Sequence, residues 1–425
     1  MTRILHILLL LAIFLSANAQ SLDECRRLAC DRYPEIKQYD LIALSEHYNL
    51  SNAARAWIPQ ITLSAQATYQ SATPTYPEAF RSIMQANGIE MLGIRKDQHK
   101  VAIDISQNIW DGGQSEANKA IAKADAAEQR SRVEVSLYDV QVRVDNLYFG
   151  ILLLDESIAQ TEALIELLKS NLKRMQSYYN NGVAHQADVD AVEAELLTAQ
   201  QTLGRMESSR ASYRRMLEAY IGQRLSEERL ERPAMPKITS RNSARPELKL
   251  FQTQENKLSA RRKAINASLM PKLTAFAQGY YGYPGMDMFK SMISAKWTPN
   301  ALVGIRMSWN IGAFYTRKNN LEKLDVAERQ IAVQREVFLF NTELQTMNDE
   351  GEIARLHKAV ENDARIVELR HRVRMAAESQ FINGVIDVTD LLQKITDETS
   401  ASLALSTHEI ELLQASYRLK TTLNQ

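Results

Sequence analysis

Two long stretches without proline constrain the fold of this chain more than any other feature. Ten prolines are present, and none lies between Pro77 and Pro233 or after Pro299. A proline inside a helix costs about 3 kcal/mol, so only these two stretches can hold long unbroken helices. Helical apolar spacing predicts helices over 112–179 and 312–381, each about 100 Å long. Helices of this length are typical of a coiled coil, a helical barrel or a bundle that spans a gap.

The first residues have the pattern of a secretory signal. Arg3 is followed by the apolar run 4–15 and by the small-x-small site Ala17-Asn18-Ala19. This pattern predicts a signal peptide over residues 1–19. After it, no apolar run approaches the roughly 20 residues of a membrane-spanning helix. We therefore expect any contact of the mature protein with a bilayer to be made by β-strands.

The chain contains two copies of one plan. Three segments recur in the same order: 59–66 as 271–278, 106–109 as 308–311, and 179–183 as 381–385. A spacing of about 200 residues is too long for a solenoid repeat, so it indicates a duplicated domain half.

The repeat predicts the domain organisation. The first copy spans 20–225, with a strand hairpin at about 60–110 and long helices at about 112–222 that turn near 180–187. A linker covers 226–245. The second copy spans 246–425, with a hairpin at about 272–311 and helices at about 312–425 that turn near 382–389.

The segments 61–70, 101–109 and 303–310 alternate apolar and polar residues. Segments of about ten alternating residues suit tilted strands that cross a bilayer. A half-buried sheet in a water-soluble domain is the alternative. Two hairpins give four strands, which cannot close into a barrel. Because open strand edges are costly in lipid, the chain would have to pool strands with further copies of itself. The strand count does not determine how many copies.

Several motifs stand out along the chain: the opening segment 21–25, the strand start 58–64, the strand end 108–113, the second-copy start 245–248, and the turn segments 182–189 and 384–391. Together they resemble the TolC-type outer-membrane factors, the outer membrane efflux protein family. No single motif is decisive. Their order and the repeat carry the resemblance, which covers essentially the whole mature chain.

The resemblance implies a mixed architecture, a membrane β-barrel plus a long α-helical barrel, built by a homotrimer that shares one twelve-stranded barrel. It implies a passive channel-tunnel in the outer membrane that extends into the periplasm. Such a tunnel serves a tripartite efflux or type I secretion system and exports small molecules or polypeptides. The implied partners are a periplasmic adaptor protein, an inner-membrane pump or ABC exporter, and outer membrane lipid. The linker 226–245 would lie at the equatorial belt.

The resemblance also suggests gate residues. Family members narrow the periplasmic entrance with an Asp-x-x-Asp pattern, in which Asp390 matches the first position and Gln393 stands at the second. Three copies of one aspartate around an axis would form an acidic ring that favours cations. Alternatively, Asp390 and Asp188 only stabilise helix starts. Some relatives pair an arginine with the residue equivalent to Asp188, but Ile386 stands at the arginine position here.

The two turns are the expected adaptor-contact tips. By resemblance, Gly182 and Val183 would contact the adaptor in the first copy, and Gly384 and Val385 in the second. The simpler interpretation is that each glycine supplies a turn with positive φ.

Two charged residues are predicted to line the barrel lumen. Asp104 and Arg306 occupy equivalent positions in the two copies and lie on polar strand faces. Mutual pairing of the two is an open alternative.

Other functional classes find no support in the sequence. We find no HExxH spacing, no phosphate loop, no GxSxG elbow and no Cys/His metal set, so the chain is predicted to be no enzyme and to need no cofactor or metal. Lys plus Arg and Asp plus Glu are equal at 51 each, which gives no reason to expect nucleic acid as a partner. The alternative function is a soluble periplasmic coiled-coil adaptor or spacer protein.

Overall fold

The computed structural model describes residues 21–226, 229–241 and 243–424. The predicted signal peptide over 1–19 lies outside these ranges. Residues 227, 228 and 242 of the predicted linker lie outside them as well.

The described residues form helices and four strands in the following order. They are α1 (Leu22–Arg32), α2 (Gln38–Ala54), β1 (Gln60–Tyr69), α3 (Glu78–Ala86), β2 (Asp97–Trp110), α4 (Gln114–Asn180), α5 (Gln186–Ile221), α6 (Pro246–Ser268), β3 (Lys272–Tyr283), α7 (Met288–Ile293), β4 (Thr298–Ser308), α8 (Ala313–Ile382) and α9 (Val388–Leu423). Short 3₁₀ turns at Pro34–Lys37 and Arg55–Trp57 flank α2.

The two longest helices occupy the proline-free stretches. Helix α4 has 67 residues and α8 has 70, and each is followed by a helix of 36 residues. Helix α5 ends at Gly222, whose φ of 68° is the left-handed conformation common after a helix C-terminus. Over the described residues, no helix combines the length and apolar content needed to cross a membrane.

The chain divides into two compact units. The helical unit comprises the described residues of Met1–Tyr39, Ser131–Leu250 and Val333–Gln425, and the sheet unit comprises Asp40–Arg130 and Phe251–Ala332.

The helical unit is held by an apolar core between α1, α4, α5 and α9. Its fully buried members include Val144, Tyr148, Leu217 and Ile221, together with Cys25 of α1. Cys25 and Cys30 are both free thiols. Burial of these side chains on one face of each helix is the main force that orders the unit.

A buried ion pair joins α1 to α4 inside the helical unit. The Arg26 guanidinium donates to both carboxylate oxygens of Asp145, with Nε to Oδ1 and Nη2 to Oδ2 each 2.6 Å. Thr421 of α9 donates to Asp145 Oδ2 at 3.3 Å. Burial raises the pKa of the Asp145 carboxyl above its ordinary value even with Arg26 beside it. Arg26, Asp145 and Thr421 therefore connect α1, α4 and α9. An unpaired charge at this buried position would be costly.

The sheet unit contains one antiparallel sheet with strand order β1-β2-β3-β4. Leu63 lies opposite Ile103, Asp104 opposite Gln278, and Phe276 opposite Gly304. Two hairpin loops extend from the same end of the sheet. Loop 1 is the segment 70–96, which contains α3, and loop 2 is the segment 284–297, which contains α7.

Candidate membrane face and helical tips

One face of the sheet is apolar and exposed. Side chains on this face are far more accessible than is usual for large apolar groups: Leu63 is 71% exposed, Val303 80% and Met307 68%. Large apolar side chains that are this exposed on one sheet face mark an interaction site rather than a water-facing surface. The alternation along β1 and β4 produces it, because successive residues of a strand point to opposite faces.

Aromatic side chains lie at both ends of this face. Near the loops, Tyr69 is 77% exposed, and the rings of Tyr281 and Trp297 lie 5.5 Å apart. At the other end of the sheet, Trp110 and Trp309 are about half exposed. Aromatic residues at two levels of an apolar strand face are typical of strands whose ends reach the two membrane–water interfaces.

The opposite face of the sheet is polar. The Asp104 carboxylate accepts hydrogen bonds from Ser64 and Gln278 on the two flanking strands. The Arg306 guanidinium lies over the ring of Phe276, 4.7 Å from its centroid. Within one chain each of the two residues contacts a side chain of β3, which lies between their strands: Asp104 contacts Gln278 and Arg306 contacts Phe276.

Both outer edges of the sheet are open within the chain. Strand β1 pairs only with β2, and β4 pairs only with β3, over the residues that the structure describes. Edge strands present rows of unpaired N–H and C=O groups, which are costly in lipid and need a partner strand.

The two helical turns in the helical unit have the same hydrogen bonds. In the first, the N–H of Val183 donates to Tyr178 O at 2.9 Å, and in the second, the N–H of Val385 donates to Gln380 O at 2.9 Å. Gly182 and Gly384 have φ values of 72° and 73°. This is the left-handed helix stop that favours glycine, so both glycines have a structural reason to be there.

The two turns lie side by side. The rings of Tyr178 and Phe381 are 6.2 Å apart, and Met175 and Val388 are buried in the cluster around them. A concavity of about 380 Å³ opens between the turns. Beside it the predicted contact residues Val183 and Val385 are 75% and 69% exposed.

The predicted gate residues have different local roles. Asp188 Oδ2 accepts from the N–H of His185 at 2.8 Å, and thereby stabilises the start of α5. At the start of α9 the cap is Asp387, whose Oδ1 accepts from the N–H of Asp390 at 2.8 Å. The Asp390 side chain itself is exposed. The role of Asp387 was not predicted from the sequence, although an aspartate directly before a helix is a recognisable capping signal.

Gln393 belongs to a polar group on the surface of α9. Its amide donates to Asp397 Oδ1 at 2.9 Å, and Asp397 pairs with Arg370 of α8 at 2.8 Å. Asp390, Gln393 and Asp397 are three and four residues apart and therefore share one face of the helix.

Near the two helical turns, a chain of ion pairs connects α4, α8 and α9. Arg174 of α4 lies 3.6 Å from Glu378 of α8, and Glu378 also pairs with Arg374 at 2.9 Å. Arg374 in turn pairs with Glu398 of α9. Glu398 also contacts His371, with His371 Nδ1 to Glu398 Oε1 at 2.7 Å. Ile386, at the position where the resemblance suggests an arginine, packs against an apolar cluster that includes Leu391 and Ile395. Among these ion pairs, Arg174–Glu378 joins the two helical hairpins.

Comparisons with known proteins identify a class of proteins that this chain resembles in sequence and in fold. Residues 28–223 match the family described as "Outer membrane efflux protein". No curated protein matches the chain. The fold is that of the outer-membrane channels: the structure superposes on solved channels over 95% of its length.

The solved channels with this fold include three from different bacteria. The outer membrane protein VceC of Vibrio cholerae is 14% identical, with a TM-score of 0.69 and 95% of its chain covered. The CmeC channel of Campylobacter jejuni is 12% identical, with a TM-score of 0.67 and 85% covered. The open state of the MtrE channel of Neisseria gonorrhoeae is 14% identical, with a TM-score of 0.66 and 88% covered.

The predicted resemblance to the TolC-type outer-membrane factors is therefore confirmed, over residues 28–223 by the family match and over most of the chain by the fold. The comparisons support the prediction of an outer-membrane efflux channel in contact with the periplasm, and they do not favour the alternative of a soluble adaptor. The matched family is a transport family rather than an enzyme family.

Proposed function

We propose that three copies of this chain form one passive outer-membrane channel-tunnel for export. Each copy contributes four strands to a shared twelve-stranded barrel in the outer membrane. The helical units form an α-helical barrel that reaches into the periplasm. The channel receives small molecules or polypeptides from an inner-membrane pump or ABC exporter and adds no chemistry of its own.

The exposed apolar face of a sheet with two open edges carries this proposal. A water-soluble sheet would leave Leu63 and Val303 in water, whereas a lipid-facing sheet buries them in the bilayer. The open edges of β1 and β4 become paired when copies join edge to edge. This pairing leaves no row of unpaired backbone N–H and C=O groups in the hydrocarbon layer.

The paired tips are the proposed docking site of a periplasmic adaptor. Two exposed valines offer an apolar contact: Val183 lines the concavity between the turns, and Val385 lies in the second turn. The repeated hydrogen-bond pattern gives both turns the same backbone shape, so one adaptor hairpin could bind either turn in the same way.

Fractionation combined with bilayer recording tests the function. We expect the mature protein to require detergent for extraction, to run as a trimer, and to form ion-conducting pores in planar bilayers. Recovery in the soluble periplasmic fraction without detergent would contradict the channel and favour the adaptor or spacer alternative.

A double substitution tests the proposed acidic ring. Asp390→Ala with Gln393→Ala is expected to raise single-channel conductance about twofold or more, because it removes charge and bulk from the narrowest part of the entrance. The measurement is conductance of the purified trimer in planar bilayers.

Asp387→Ala is the matched control. It removes the cap of α9 at a cost of about 1 kcal/mol and should leave conductance unchanged. If the Asp390 variant instead loses thermal stability at unchanged conductance, Asp390 only stabilises the helix start and forms no gate.

A further inference from the structure

Helix α3 in loop 1 is left mostly uncovered by the described residues of its own chain. All nine of its residues, Glu78–Ala86, are exposed except Met84, which is half-buried. An isolated helix of this length is marginal in water even with favourable composition. Its apolar residues Phe80 and Ile83 are nevertheless 39% and 60% exposed. The helix therefore needs a surface that the single chain does not supply.

Loop 2 presents a matching apolar surface. Phe289 and Ile293 on α7 are 70% and 45% exposed. Within one chain the loops already meet through aromatic rings, because Tyr76 lies 5.4 Å from Phe80 and 6.3 Å from Phe289. This contact uses one side of each loop and leaves the remaining apolar side chains uncovered.

The strand order identifies what covers them. Loop 1 joins β1 to β2 and loop 2 joins β3 to β4, so the loops stand at opposite edges of the sheet. If β4 of one copy pairs with β1 of the next, loop 2 of the first copy comes to lie beside loop 1 of the second. Loop 1 and loop 2 would then be adjacent between copies, as they already are within one chain through Tyr76 and Phe289.

Charge distinguishes this surface from the lipid-facing one. On β1 and β4, the residues that share a face with Leu63 and Val303 are all uncharged, whereas Glu78 and Lys290 stand among the apolar residues of the loops and are exposed. Such mixed surfaces are typical of protein contacts with a polar rim rather than of the hydrocarbon layer.

We propose that loops 1 and 2 of neighbouring copies bind each other through these apolar residues and narrow the outer mouth of the barrel. The partner is a second copy of this chain. The inference rests on the proposed function, since it requires the shared barrel.

The test compares two double variants of α3 in the full-length trimer. Phe80→Ser with Ile83→Ser removes the apolar side, and Arg81→Ser with Gln85→Ser changes the polar side of the same helix. We expect the first variant to raise single-channel conductance about twofold and the second to leave it within error of the unsubstituted protein. A second measurement treats intact cells with a short bismaleimide after Ile83→Cys and Ile293→Cys are combined, and we expect dimers and trimers on denaturing gels.

The outcomes separate the two proposals. If the unsubstituted protein forms no pores, the channel itself is contradicted. If it forms pores but the Phe80→Ser, Ile83→Ser variant conducts like the polar-side control, the loop contact is overturned while the channel stands. A combined cysteine variant that assembles as a trimer but yields only monomers after cross-linking also overturns the contact.

Discussion

Leu63→Arg is expected to remove this protein from the outer membrane. Leu63 lies near the middle of β1 and is 71% exposed on the apolar face. An arginine that faces lipid at mid-depth costs roughly 2–4 kcal/mol per copy. The free energy of assembling a trimer of the variant in the membrane would therefore be about 6–12 kcal/mol less favourable. We expect less than a tenth of the normal amount in the detergent-extracted outer-membrane fraction, measured by quantitative immunoblotting.

Ser64→Arg is the matched control one residue away. Ser64 lies on the polar face, where its hydroxyl contacts Asp104 at 3.4 Å. An arginine there would face water beside a carboxylate and should leave the amount of assembled protein nearly unchanged. Equal amounts of both variants would contradict a lipid-facing sheet, because an exposed position in a water-soluble sheet tolerates arginine on either face.

Arg26→Leu is expected to lower the free energy of unfolding by about 3–5 kcal/mol, because the substitution leaves Asp145 buried without its partner. The Asp145 side chain is only 10% exposed, and both its oxygens accept from Arg26. The loss should appear in chemical unfolding of the detergent-solubilised protein, followed by far-ultraviolet circular dichroism.

Arg27→Leu provides the comparison at the next residue. Arg27 pairs with Asp31 at 3.7 Å, and both side chains are more than 60% exposed. Exposed pairs contribute about 0–1 kcal/mol, so this variant should unfold close to the unsubstituted protein. Adding Asp145→Leu to Arg26→Leu should recover part of the loss, since it removes the unpaired charge. A loss for Arg26→Leu no larger than that for Arg27→Leu would show that the buried pair contributes little.

The ion pairs above the tips bear on how the two hairpins stay together. The chain from Arg174 through Glu378 and Arg374 to Glu398 links α4, α8 and α9. Each pair is partly buried, so it is screened less by salt than an exposed pair would be. In this chain the Arg174–Glu378 pair therefore connects the two hairpins, while Ile386 contributes apolar packing.

The local features of the fold were predictable from the sequence. Proline positions and helical periodicity indicate long helices over 112–179 and 312–381, and the structure has them at Gln114–Asn180 and Ala313–Ile382. Alternation at Leu63 and Ser64 indicates which side chains share a face of β1. These properties depend on residues a few positions apart, so a single sequence records them directly.

Contacts between distant segments were decided only by the tertiary structure. Arg26 meets Asp145 across 119 positions of sequence, and Asp104 lies opposite Gln278 rather than Arg306 because β3 stands between β2 and β4. The amino-acid pattern determines which face of an element is apolar, but the partner of that face depends on how elements far apart in the chain pack together, and many pairings suit the same pattern.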